Sequence, residues 1–377
     1  MSTSAGTSAA KRDRGTWERL AAGVRPEGRA FIGGRLVPAL DGAVFDDVSP
    51  IDGQVIAQVA RGRAADVDAA VKAARASFEN GPWRRMEPKD RKKILRRFAE
   101  LIRADVDRLA LLETRDVGKP IQNSVGVDVA NCADCIEYYA EFSDKLYDEV
   151  APTGPNDLAL IRREPLGVVA AIVPWNYPLI ISCWKVGPAL LTGNSVVLKP
   201  AEQSPLSAIR LAQLALDAGV PPGTFNVVPG YGEEAGQALA LHRDVDLITF
   251  TGSTEVGRLM MRYAAESNLK RVALELGGKT PQVVFADADL EAAASGIAWG
   301  VYYNSGQTCH AGSRLIVHRA VRDPLLEALR RVTATITLGH PLESDTQMGA
   351  LIDQGHMKRV LGYIEGGVAD GARLALG

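Results

Sequence analysis

The chain has 377 residues, 46% of them hydrophobic and 23% charged, with four cysteines and a formal net charge of −2. That length predicts two or three domains, and that charge gives no reason to expect nucleic acid or an anionic membrane as a partner. No apolar run approaches the length of a membrane span, and so few thiols argue for a reducing, cytoplasmic compartment.

Residues 1–28 are rich in Ser, Thr, Ala, Gly and Arg and have no apolar stretch, so they read as a disordered tail with a helical turn possible around Trp17. From 31 to 59 short apolar runs alternate with turn residues, as antiparallel strands do. Helical patterns follow at 66–78, 91–113 and 128–146. Pro152, Gly154 and Pro155 then interrupt a segment, 150–164, that reads as a projecting hairpin. A regular alternation comes next. Strands are expected at 168–173, 195–198, 225–228, 247–250 and 272–275, with helices at 179–191, 205–218, 233–241 and 255–265 between them. Such repetition with short loops means a parallel, doubly wound α/β sheet, which binds nucleotides at its carboxyl ends. After Lys279 a second α/β region begins: helix 290–302, a loop around Cys309, strand 315–318, helices 324–335 and 356–365, and a strand entered at 373–377.

Three short segments carry the chemistry. Glu275-Leu276-Gly277-Gly278-Lys279 puts a carboxylate at a strand end. Asn304 to Arg314 places a lone Cys309 in a glycine-flanked loop. Pro174-Trp175-Asn176-Tyr177-Pro178 closes a strand with an amide between aromatic rings. A thiol on such a loop is either an inert small hydrophobe or a nucleophile, and Glu275 is either a surface acid or a general base. Gly230-Tyr231-Gly232 is a weak glycine loop. At Gly252-Ser253 a strand ends and a helix opens at once, which is either a plain capped helix or a seat for a pyrophosphate. Cys132 and Cys135 form a C-x-x-C in a helical pattern, but no second ligand pair completes a zinc site, and no metal is expected.

Together these segments resemble the NAD(P)-dependent aldehyde dehydrogenase family over residues 31–377. The resemblance implies a disordered tail (1–28), an NAD-binding domain (29–149 and 167–278), a bridging hairpin (150–166) and an α/β catalytic domain (279–377). It implies Cys309 as nucleophile, Glu275 as general base, and Asn176 with the Cys309 backbone N–H as oxyanion donors. Cofactor contacts are implied for Trp175, Lys199, Glu202, Gly232, Gly252, Ser253, Leu276 and Gly277. A carboxylate at Glu202, beside the adenosine ribose, favours NAD over NADP. The wording at Asp144–Val150 and Cys183–Pro188 is similar to the subgroup that oxidises ω-amino aldehydes such as γ-glutamyl-aminobutyraldehyde. On that likeness Asp128, Tyr177, Trp184 and Tyr303 are expected at the substrate, with Asn131 where a second acid would stand. The family forms homo-oligomers and runs on for about a hundred residues past Gly377. The resemblance therefore implies a C-terminally truncated catalytic domain, without the strand that pairs with the hairpin of a partner subunit. Two readings follow: an active NAD-dependent aldehyde dehydrogenase, or a non-catalytic relic that only associates with an intact homologue.

Overall fold

Asp13 accepts from the backbone N–H of Thr16 at 2.7 Å and so caps a first helix, α1 (Arg14–Gly23), in a computed structural model that describes residues 12–376. Residues 1–11 of the expected disordered tail lie outside the described residues, and the rest of that expectation is corrected. Trp17 is 0% exposed within the main core, and burial of so large a ring anchors α1.

Two antiparallel pairs follow: β1 (Ala30–Ile32) with β2 (Arg35–Val37), then β3 (Val44–Val48) with β4 (Val55–Ala60). After α2 (Ala64–Asn80), the single helix expected over 91–113 is in fact two, α3 (Pro88–Ala104) and α4 (Val106–Val117). They break at Asp105, whose carboxylate accepts from Arg210 Nε at 2.7 Å and whose ψ of 19° leaves the helical range. A π-helical stretch (Ser124–Val129) leads into α5 (Ala130–Phe142). The expected hairpin is present as β5 (Glu149–Ala151) and β6 (Ala159–Ile161).

Strands and helices then alternate: β7 (Val168–Ile172), α6 (Pro178–Leu191), β8 (Ser195–Lys199), α7 (Leu206–Ala218), β9 (Phe225–Val227), α8 (Gln237–Leu241), β10 (Leu247–Gly252), α9 (Thr254–Glu266) and β11 (Arg271–Leu276). The sheet order is β11-β10-β7-β8-β9-β1-β2. Its first five strands are parallel, and β1 and β2 close it antiparallel. Side chains alternate between two cores, as the pleat requires. Val169, Ala171 and Val173 face α3, α5, α6 and α7; Val168, Ala170 and Ile172 face α2, α8 and α9. Strand order reverses beside β7, which opens a crevice at the carboxyl ends of β7, β8 and β10.

The second region sets β12 (Pro281–Val284) parallel to β13 (Arg314–Val317), with α10 (Leu290–Tyr302) and α11 (Arg322–Thr333) packed on them and α12 (Gln354–Ala369) after them. The strand expected at 373–377 is also corrected. Residues 372–376 join no ladder, the Ala375 carbonyl accepts from Arg330 instead, and Gly377 lies outside the described residues. Among the described residues no helix is long and apolar enough to cross a membrane.

Candidate active site

The crevice is where the chemistry-bearing segments meet. β11 pairs with β10 so that Glu275 lies opposite Thr251 and Leu276 opposite Gly252, placing the carboxylate at the carboxyl edge of the sheet. Beyond it the chain passes the Cys309 loop so closely that a Cβ on Gly278 would sit 3.6 Å from the Cys309 carbonyl oxygen.

Cys309 is half-buried, its Sγ 3.8 Å from His310 Nδ1. Its loop is held by side-chain bonds to backbone. Asn304 and Ser305 both adopt left-handed backbone, φ 51° and 57°, a conformation that persists only where surroundings over-determine it. Here they do. Asn304 Nδ2 donates to the Asn176 carbonyl at 3.1 Å, Ser305 Oγ to the Gly349 carbonyl at 3.0 Å, and Gln307 Oε1 accepts from Ile352 N at 2.9 Å. Asn176 Nδ2 donates to the Gln307 carbonyl at 2.7 Å, so the amide expected at the oxyanion also clamps the Cys309 loop. That amide carries a second N–H, and its oxygen is buried with no partner.

Tyr177 and Tyr303 stand at the other side of the loop. The Tyr177 hydroxyl lies 3.2 Å from Thr308 Oγ1, and burial pushes its phenol up to about 12; burial raises Tyr303 as well. Beneath Tyr177 lies Lys119, with Nζ 4.4 Å from the ring centroid. This lysine bears on the expected role of Asp128. Asp128 is fully buried and its Oδ1 accepts from Lys119 Nζ at 3.0 Å, with Glu113 at 3.7 Å from the same ammonium. One ammonium thus serves two buried carboxylates, and Asp128 Oδ2 has no partner among the described residues. Trp184 is 54% exposed on α6 and lines a cleft of about 380 Å³ with Leu166, Lys185 and Thr249.

On the cofactor side, Lys199 Nζ donates to Glu202 at 3.0 Å at the end of β8. Glu202 lines a cleft of about 880 Å³ with Tyr231, the residue before Gly232. Ser253 caps α9 by accepting from Val256 N at 3.2 Å; the N–H groups of Thr254 and Glu255, ahead of it, have no partner within the helix. Gly252 is required for packing, since a Cβ there would meet the Phe250 ring at 2.5 Å. Leu276 packs under Gly257 of the same helix, while the positions a Cβ would take on Gly232 and Gly277 are open. The Lys199–Glu202 pair, an open cleft and a free helix N-terminus along one sheet edge fit a dinucleotide.

Sequence reasoning missed two residues here. Lys185 is buried in α6; its Nζ donates to Thr249 at 3.0 Å, and burial lowers its ammonium to about 8 against the opposing charge of Glu275. A lone charge inside an apolar helix is the signal that could have found it. His356 of α12 meets Trp175 edge-on, ring centroids 5.2 Å apart, and nothing local in the sequence pairs them.

Residues 37–377 match the family model described as the aldehyde dehydrogenase family. The NADP/NAD-dependent aldehyde dehydrogenase PuuC of Escherichia coli (strain K12) is 49% identical over 359 residues, covering 95% of this chain and 72% of that protein. A solved indole-3-acetaldehyde dehydrogenase complexed with NAD+ superimposes with a TM-score of 0.96 at 52% identity, covering 97% of this chain and 74% of the other. A γ-glutamyl-γ-aminobutyraldehyde dehydrogenase from Burkholderia cenocepacia J2315 does so with 0.94 at 53% identity, covering 95% and 73%.

Proposed function

The chain belongs to the aldehyde dehydrogenase family and is an NAD-dependent aldehyde dehydrogenase, and we propose that it works through a thiohemiacetal and a thioester on Cys309, with a γ-glutamyl-amino or ω-amino aldehyde as substrate. The Cys309 thiolate adds to the aldehyde carbon, and the resulting alkoxide is held by the second N–H of Asn176 and the backbone N–H of Cys309. One such donor contributes about 3 kcal/mol. NAD, when bound, accepts the hydride that this adduct releases, which leaves a thioester on Cys309. Glu275 then takes a proton from the water that hydrolyses it. Lys185, bonded to Thr249, sets a buried ammonium against the opposing charge of Glu275. Lys199, Glu202 and the N-terminus of α9 hold and orient the dinucleotide.

The observation that carries this reading is the convergence on one sheet edge of the Asn176–Gln307 clamp, the Gly278–Cys309 approach and the end of β11. For the substrate, support comes from the likeness to the Burkholderia enzyme, and the Lys119–Asp128 pair turns the choice toward an aldehyde whose amine is already acylated. Comparing kcat/KM for γ-glutamyl-aminobutyraldehyde, aminobutyraldehyde and an alkyl aldehyde of similar length tests it. The first should be preferred. Equal values for all three would remove the substrate assignment and leave the chemistry intact.

A further inference from the structure

A cleft of about 850 Å³ opens between the β5–β6 hairpin, the start of α3 and the C-terminal end of α6. Asn176 and Tyr177 lie at the other end of α6, about 20 Å away along a helix of 14 residues. Five arginines line it, Arg84, Arg85, Arg91, Arg162 and Arg163, against two carboxylates, Asp148 and Glu164.

Two of the five have acidic neighbours: Arg163 pairs with Glu149 at 2.6 Å and Arg162 stands 4.0 Å from Asp148. Among the described residues the other three are engaged only by backbone or ring. Arg84 lies over Phe78, with 4.7 Å to the ring centroid, and Arg85 donates to the Glu79 carbonyl at 3.0 Å. Arg91 is the most informative. It donates to the Trp83 carbonyl at 3.1 Å, but its Nε is buried without a partner, and burial disfavours its charge with no carboxylate to compensate. A guanidinium stays charged at any ordinary pH, so taking it out of water without a counter-ion is costly.

Arg91 is the inner, partly buried cation and Arg84 and Arg85 are exposed at the mouth, so the cleft offers a run of guanidinium forks, which match phosphate oxygens in geometry. The volume lies within the range of small-ligand sites, and Met86, Tyr147 and Leu191 give an apolar wall. We propose that this cleft binds the polyphosphate group of a small anion, with Arg91 as its inner contact and Arg84 and Arg85 as outer ones. Free polyphosphate and the tail of a nucleoside triphosphate share that chemistry.

Thermal melting of the whole chain in saturating NAD, at fixed ionic strength, tests the proposal. Tripolyphosphate should raise the melting temperature by about 3 °C or more, and sulfate should give less than a third of that shift. A larger shift with ATP than with tripolyphosphate assigns a nucleotide, and equal shifts assign the bare phosphate chain. The Arg84→Gln/Arg85→Gln double variant, which keeps Arg91 and its bond to Trp83, should at least halve the shift with NADH formation unchanged. Arg91→Gln should abolish it and Arg91→Lys should restore part. An undiminished shift in these variants, or an equal one with sulfate, overturns the site. So does a change of sedimentation coefficient in Arg91→Gln without polyphosphate, which would make the cleft a contact between copies of the chain.

Discussion

Along β7 and β8 every residue is buried, whereas along β13, which follows the Cys309 loop, exposed and half-buried positions alternate and none is fully covered. The sheet half is positioned by two apolar cores, and the residues proposed to face the cofactor sit where strands end. The half that carries Cys309 is positioned by a few polar bonds: Asn304 to Asn176, Asn176 to Gln307, and Gln307 to Ile352. A hydrophobic core tolerates the loss of a contact at a cost in stability. A loop held by single hydrogen bonds loses alignment instead. Changes around Cys309 should therefore show in kcat, and changes in the sheet should show in melting temperature.

The largest effect tests the premise of that contrast. Cys309→Ser should lower NADH formation by roughly 10⁴-fold or more while NAD binding, measured by titration, persists. Iodoacetamide should label Cys309 first. Cys132 and Cys183 face one another in the α5–α6 interface with thiols raised by burial, and burial pushes Cys135 up to about 12. Preferential labelling of any of these three would reject the assignment.

Glu275→Gln should be next, slowing thioester hydrolysis by about 10² to 10⁴-fold while leaving its formation largely intact. A pre-steady-state burst of one NADH per site, followed by a slow phase, is the expected trace. Equal loss of burst and turnover would place Glu275 in some other role.

Asn304→Gly separates strain from clamping. Glycine accepts φ of 51° without cost but removes the bond to Asn176, so kcat should fall by about 10²-fold with little change in melting temperature. A drop in melting temperature at unchanged kcat would show that the loop is held by packing, and the contrast between the two halves would fail.

How much of this was legible in the sequence follows the same division. Strand–helix alternation from 168 to 276 could be read because period and turn chemistry are local, and β7 to β11 lie where they were expected within a residue or two. Glu275, Asn176 and Cys309 were legible as motifs. Their convergence was not, because it depends on Gly278 and Gln307 meeting residues far away in the chain. The surroundings of Asp128 were hidden for a related reason: a single acid on a helix gives no sign that Lys119, in the link after α4, will stand against it. Trp17 was hidden by the polar composition around it, since one buried ring can fix a segment that pattern alone leaves disordered.

Lys185 links the halves, being rooted in the core of α6 and reaching toward Glu275. Burial lowers its ammonium from 10.5 to about 8, so between those values the unfolded chain binds the proton more tightly than the folded one. Stability should therefore rise with pH through that window, by about 1–3 kcal/mol from this group. Lys270, also lowered to about 8 by burial, adds a rise of the same sign. Urea unfolding at pH 7 and 9.5 should show the rise in the unmutated chain and a smaller one in Lys185→Met; an unchanged rise would mean that Lys185 titrates normally.

The smallest effect concerns the cofactor edge, where placement comes from the fold and a single side chain adjusts preference. Glu202 is held by Lys199 at 3.0 Å, and a 2′-phosphate on the ribose would bring a second anion beside its carboxylate. That repulsion is partly offset by the lysine, which carries one positive charge for two negative groups. Glu202→Gln removes the carboxylate and leaves Lys199 free to meet a phosphate, so the ratio of kcat/KM for NADP over NAD should rise by about tenfold, close to 1.4 kcal/mol. Melting temperature without cofactor should fall only modestly, since Glu202 is partly exposed and the glutamine oxygen can still accept from the buried Lys199. A preference for NADP in the unmutated chain would contradict the reading. A large loss of stability on substitution would instead make Lys199–Glu202 part of the scaffold, and the division between a fold-placed cofactor edge and a bond-placed nucleophile would have to be redrawn.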